Sequence, residues 1–132
     1  MRNTVHRGKS VDKSIWTYGE YKRKYDDVTE NYTYFIQEEP NVNVYIVVDK
    51  DSIGESTGFK DKYNKTIFEG DIIRHDNGAR AIVRWNDEIA GFDLLYTNIK
   101  KNNLSNPILV KSNSSTWIVE SNTYDNPSLQ IG

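Results

Sequence analysis

Along this chain apolar residues alternate with polar ones or come in short runs, and the breaks between them are rich in Asn, Gly, Asp and Ser. A period of two is the mark of strands with one packed face and one wet face. The pattern therefore predicts a mostly β protein, and no stretch carries the 3.6-residue period of a convincing amphipathic helix. Ile15 to Tyr21 opens the series as a half-buried strand, with Trp16 and Tyr18 two apart, and the basic run Lys22, Arg23 and Lys24 comes directly after it. Tyr32 to Ile36 reads as the next strand. After the turn-forming Pro40 and Asn41 comes Val42 to Val48, with Val42, Val44, Ile46 and Val48 on one face and Asn43, Tyr45 and Val47 on the other.

The segment Thr57 to Trp85 is the most informative. A strand near Gly58 and Phe59 meets the turn-forming Lys60 to Lys65, Thr66 to Phe68 completes a hairpin, and Glu69, Gly70 and Asp71 form a tight bend. Asn77-Gly78 is the strongest hairpin signal, because a two-residue type I′ turn needs positive φ at both central residues and these two tolerate it. That turn sets Ile72 opposite Val83, Ile73 opposite Ile82 and Asp71 opposite Arg84, with Trp85 beside Gly70. Phe92 to Tyr96, Ile108 to Val110 and Trp117 to Val119 are further short strands. Between them Asn98, Asn102, Asn103, Ser105, Asn106, Ser112, Asn113, Ser114 and Ser115 make 97–116 a polar stretch, expected to be the most mobile region. No internal repeat is evident. One domain is expected, 1–132, with a soft seam near Thr57 that divides an N-terminal β part (1–56) from a C-terminal part (57–132).

Composition narrows the class. At 132 residues one core is sufficient. Without cysteine there is no disulfide framework and no thiolate zinc site, which fits a reducing cytoplasm. Met1 to Ser10 lacks an apolar stretch, so no secretory signal is expected. The longest apolar run, Val44 to Val48, is far short of the roughly 20 residues that cross a bilayer. Charged residues make up 27% and the net charge is -2, a mixed surface and not the basic stripe that phosphate backbones favour. Nine Tyr, three Trp and four Phe compensate for a hydrophobic content of only 36%, because each fills much core volume.

Three stretches, in order, resemble sequences of the YopX family: Arg7-Gly8-Lys9 followed by Trp16 to Gly19; Ser52-Ile53-Gly54 through Asp71-Ile72-Ile73-Arg74; and Tyr124-Asp125-Asn126-Pro127. The central block is the specific one, since Thr57-Gly58-Phe59-Lys60-Asp61 and Ile67-Phe68-Glu69-Gly70-Asp71-Ile72 look like the family's threonine-glycine and glutamate-glycine-aspartate signature. Tyr63-Asn64 stands where an Asn-Gly turn is common, and Ser121 where a glycine precedes the final Asn and Tyr. The resemblance implies a multi-stranded β fold with an SH3-like small barrel in the C-terminal half, a phage or prophage origin, and assembly as a homo-oligomer. It implies no reaction.

Candidate chemistry is sparse. Gly54-Glu55-Ser56-Thr57-Gly58 matches the G-x-S-x-G nucleophile elbow, but Phe59 to Asn64 lack helix periodicity, and a turn entering a hairpin is the simpler reading. His75-Asp76 would need further metal ligands, and His6 is the only other histidine. Glu38 and Glu39, adjacent on a strand, would point to opposite faces, and Asp71 is expected to serve the bend or Arg84. Neither catalysis nor a cofactor nor a metal is expected. Lys22, Arg23 and Lys24, then Lys60, Lys62 and Lys65, then Arg74, Arg80 and Arg84 form three basic clusters with Tyr21, Tyr25, Tyr63 and Trp85 nearby. They are the candidate contacts for a partner or for single-stranded nucleic acid, whose bases stack on rings while cations follow phosphates. Gly58, Glu69, Gly70, Asp71 and Trp85 are expected to be structural. The reading is a non-enzymatic phage or prophage accessory protein that self-associates and binds a phage or host protein; the alternative is a small-barrel nucleic-acid binder.

Overall fold

The computed structural model describes residues 5–97, 107–109 and 111–127. Its elements are β1 (His6–Lys9), β2 (Trp16–Asp26), β3 (Asn31–Gln37), β4 (Ile46–Val47), a single 3-10 turn (Lys50–Ser52), β5 (Gly54–Lys60), β6 (Thr66–Phe68), β7 (Asp71–His75), β8 (Arg80–Asn86), β9 (Gly91–Tyr96), one helical turn α1 (Lys111–Ser114) and β10 (Trp117–Asn122). The chain divides into two compact units, Met1–Ser56 and Thr57–Gly132. Among the described residues no helix is long and apolar enough to cross a membrane.

In the first unit hydrogen-bonded neighbours run β4-β3-β2-β1-β5, and all the named pairs are antiparallel. The β2–β3 hairpin is its longest element, pairing Glu20 with Gln37 through to Asp26 with Asn31. Its four-residue loop carries neither Gly nor Pro. The Asp26 carboxylate closes it by accepting from the Val28 amide at 2.8 Å, and Glu30 takes the left-handed conformation at φ 57°. Strand β2 therefore continues well past Tyr21, and the basic run lies inside it.

The expected strand Val42 to Val48 is reduced to the two residues of β4. The buried Gln37 amide donates to the carbonyls of Val42 (2.9 Å) and Pro40 (3.4 Å), and the Val44 amide turns back to Val42 O (2.8 Å). Those backbone groups are thus taken out of any ladder, which leaves Val42 and Val44 exposed in a bend.

The second unit holds the main core. Its four-stranded sheet runs β10-β7-β8-β9, and Ile67, Ile73, Val83, Phe92, Leu94 and Trp117 pack together in its core cluster. The small barrel expected here does not form as a closed sheet, because β10 and β9 are edges and closure needs an unbroken ring of ladders. Ile108 adds only a bridge to Asp93 in place of a strand, with Leu109 N donating to Phe92 O at 2.9 Å. Val110 and 98–106, which make up half of the expected mobile stretch, lie outside the described residues.

The β7–β8 hairpin exists, with its register one residue from expectation: Ile72 faces Ile82, Ile73 faces Ala81 and Arg74 faces Arg80. The loop is three residues long. The His75 amide donates to Ala79 O, and only Gly78 (φ 92°) takes positive φ, as in a type I turn with a following bulge. Two side chains hold that geometry, His75 Nδ1 accepting from the Asn77 amide (3.2 Å) and Asn77 Oδ1 from the Ala79 amide (2.9 Å). Trp85 accordingly lies opposite Phe92, with ring centroids 5.2 Å apart, not beside Gly70.

Arg84 is not across from Asp71. It sits opposite Asp93 and binds it twice, at 2.7 and 3.3 Å, while Asn86 adds a third bond at 3.0 Å. Burial alone would push the Asp93 carboxyl up, but the hydrogen bonds from Arg84 and Asn86 and the guanidinium charge outweigh it and hold the group below the usual carboxylate range. A depressed folded pKa stabilises above the unfolded value of about 3.9 and loses that contribution as pH falls through the folded value. The urea midpoint is expected to fall below about pH 4, and Arg84→Met should flatten that acid dependence relative to the parent; equal acid slopes would refute the assignment.

Candidate functional site

The predicted contact residues separate into two groups once their partners are known. In the second unit most are neutralised. Arg74 and Arg80 both bind Glu120, at 3.3 and 3.0 Å, and Lys62 binds Asp76 at 3.2 Å. Lys60 Nζ donates to Thr66 Oγ1 at 3.3 Å, and the Lys65 main chain is engaged by Asp61. Glu120 lies forty residues from Arg80 in sequence, so the alternation pattern gave no sign of it. These cations brace strands β7, β8 and β10 against one another.

Asp71 Oδ2 accepts from the Phe68 amide at 2.7 Å, and Gly70 turns the bend at φ 90°. Gly58 also has positive φ, 81°. Ser56 sits in the interior of β5, donating its amide to Val5 O at 2.8 Å, so the serine is on a strand and not on a strand-to-helix elbow or a turn. His75 is half-buried against Trp117, ring centroids 5.2 Å apart, and its Nδ1 is taken by the loop. Among the described residues no group of three or more potential metal ligands converges.

The first unit is different. Residues directly opposite in a strand pair share a face, so Tyr21, Arg23 and Tyr25 of β2 lie with Ile36, Tyr34 and Tyr32 of β3. The rings are in contact along that face. Tyr21 and Tyr34 stack at 6.3 Å and 10°, Tyr25 meets Tyr32 edge-on at 5.1 Å, and the Arg23 guanidinium lies 4.4 Å from the Tyr32 centroid. His6 of β1 extends the row, 5.4 Å from Tyr21. On the opposite face Lys22 reaches Glu20 (3.8 Å) and the Tyr45 ring (5.9 Å), and Lys24 lies opposite Thr33.

Every residue from Lys22 to Thr33 is exposed. A bare two-stranded ribbon is marginal in water, so the aromatic ladder and the cation over Tyr32 are what hold this arm together, at roughly 0.5–1.5 kcal/mol for each ring pair. Among the described residues its outer edge is also uncovered. The Val48 amide donates to Tyr34 O, so the polar groups of Tyr34 point away from β2, and by antiparallel alternation those of its partner Arg23 point away from β3. Among the described residues β1 pairs with β2 only from Trp16 to Gly19, and no strand covers Tyr21, Arg23 and Tyr25. Tyr32 and Tyr34 were not singled out from sequence, although carrying the alternation of Tyr21, Arg23 and Tyr25 past the charges would have extended β2.

A groove lies at the other end of β3. Glu38, Glu39, Val42, Val44 and Ile46 line a cavity of about 150 Å³. The two glutamates share it because β3 ends at Gln37, so the strand rule that sends neighbours to opposite faces no longer applies.

Comparison with solved structures matches the crystal structure of protein EF1440 from Enterococcus faecalis, 18% identical over 96% of this chain and 97% of that one, with a TM-score of 0.54. At that identity the likeness concerns the fold alone. No curated protein is a match. A family model described as YopX protein matches residues 6–130, nearly the whole chain and all the stretches that carried the resemblance, and the chain therefore belongs to the YopX family.

Proposed function

We propose that this protein acts by binding and not by catalysis, as an accessory protein of a phage or prophage in the cytoplasm of a bacterial host, and that it self-associates through the β2–β3 arm. The observation that carries this reading is the arm itself, a ribbon exposed from Lys22 to Thr33, with four interlocked tyrosines and an edge that no strand among the described residues covers. Tyr and Arg are the side chains that most often anchor protein interfaces, and an uncovered edge is a template for another chain. The exposed part of the arm, Lys22 to Thr33, carries three cations, Lys22, Arg23 and Lys24, and three carboxylates, Asp26, Asp27 and Glu30, so that part is neutral as a whole. That balance suits a protein surface better than a phosphate backbone.

Sedimentation velocity over a wide concentration range tests it. The parent chain is expected to sediment faster as concentration rises, and the double substitution Tyr25→Ser, Tyr32→Ser to weaken association about tenfold or more. A parent that stays monomeric throughout would overturn the reading.

Arg23, seated on Tyr32 with no carboxylate partner among the described residues, favours a second reading as a single-strand nucleic-acid platform. Binding to single-stranded DNA or RNA that weakens steeply with salt supports it, and absence of such binding removes it.

A further inference from the structure

We propose that the groove lined by Glu38, Glu39, Val42, Val44 and Ile46 is the receptor for the basic run of a second copy's arm, taking the side chain of Arg23 or Lys24. The proposal rests on the self-association reading above and names the two surfaces that meet.

The groove has the chemistry of a long cationic side chain. Three aliphatic residues supply a wall for methylenes, and two glutamates in the lining supply negative charge, which matches a side chain with an apolar stem and an ionic head. Size agrees. The groove offers about 150 Å³, well above the roughly 10–15 Å³ of such space that a single water needs, so it admits the end of a long side chain. The site is also pre-formed, because the buried Gln37 amide clamps Val42 O at 2.9 Å and Pro40 O at 3.4 Å, with Val42 N bound to Glu39 O at 3.2 Å. Neither Glu38 nor Glu39 has an ion-pair partner among the described residues.

Charge complementarity selects the occupant. In the second unit Lys62, Arg74, Arg80 and Arg84 are already paired within the chain, whereas Arg23 and Lys24 stand adjacent on the exposed arm with no carboxylate partner among the described residues. A two-fold arrangement makes the contact twice, each arm entering the other copy's groove.

Charge reversal in both directions tests this on the full chain by sedimentation equilibrium. Glu38→Lys with Glu39→Lys should weaken association about tenfold or more, and Arg23→Glu with Lys24→Glu should do the same, since like charges then meet. Mixing the two reversed proteins should restore association to within about threefold of the parent. Circular dichroism and thermal melting of each variant establish that it is folded, and the milder pair Glu38→Gln, Glu39→Gln serves if a reversal is not. If the groove reversals leave association at the parent level, or mixing restores nothing, the groove is not the receptor while self-association stands. If the parent itself never associates, both readings fall together.

Discussion

Asp61→Ala is expected to lower the stability of the second unit by about 2–4 kcal/mol, read as a shift in the urea midpoint of its tryptophan signal. Asp61 is nearly inaccessible, 5% exposed, and its carboxylate serves two distant places. Oδ1 accepts from the amides of Tyr63 (2.9 Å) and Lys65 (2.8 Å), which closes the turn between β5 and β6. Oδ2 accepts from the amide of Val119 at 2.9 Å, in β10, fifty-eight residues on. Bonds to an ionised acceptor are worth more than neutral ones, about 1.5–3 kcal/mol each, and removing the acceptor strands the donors it served. Water can replace the carboxylate for the exposed Tyr63 and Lys65, so the main loss lies at the partly buried Val119. Asp61→Asn separates the two roles. One amide oxygen can keep the turn, but its NH2 then faces the Val119 N–H, donor against donor, so most of the destabilisation should remain. A variant as stable as the parent would show that β10 is held by other means.

Gly19→Ala is expected to destabilise the first unit by about 3 kcal/mol, the upper part of the range for an added carbon in a packed site. A Cβ on Gly19 would overlap the carbonyl of Gln37 and lie 2.8 Å from Glu38 Cα, and these are main-chain atoms that cannot swing aside. Gly19 stands where β1 ends its pairing with β2 and β2 begins its pairing with β3. Displacing Gln37 would also loosen the clamp on the Pro40 and Val42 carbonyls, so the groove should open with the same substitution. The comparison is Gly58→Ala, whose Cβ meets nothing within 4 Å and whose only penalty is a positive φ of 81°, about 1–2 kcal/mol. Melting curves of the two variants should differ clearly, with Gly19→Ala the lower. Equal melting temperatures would mean that the β3 end shifts freely to make room.

Much of the frame was readable before any coordinates. The hairpin of β5 and β6 lies where Lys60 to Lys65 predicted a turn, and Asn64, in place of glycine, takes the positive φ of 66°. The β7–β8 hairpin was readable too, but not its register. Ile72 and Ile73 are both fully buried, so neither face of β7 is marked by polarity, and a slip of one residue leaves the hydrophobic pattern intact. Asn-Gly is compatible with a two-residue turn and with a three-residue one. Hydrogen bonds that the side chains of His75 and Asn77 accept from main-chain amides of the loop chose the latter.

The candidate site was half legible. The basic run Lys22 to Lys24 was visible, but the tyrosines that frame it come from a second strand, and the connecting loop uses an aspartate side chain and a left-handed glutamate instead of Gly or Pro. Alternation, bend residues and the absence of cysteine are properties of neighbours along the chain, and they were enough to establish a β protein without disulfides and the approximate place of most strands. Which charges cancel and which stay open depends on residues tens of positions apart, such as Arg80 and Glu120 or Asp61 and Val119. Only folding brings those groups within bonding distance, because an ion pair or a hydrogen bond is set by separation in space, over which the local periodicity of a strand has no hold.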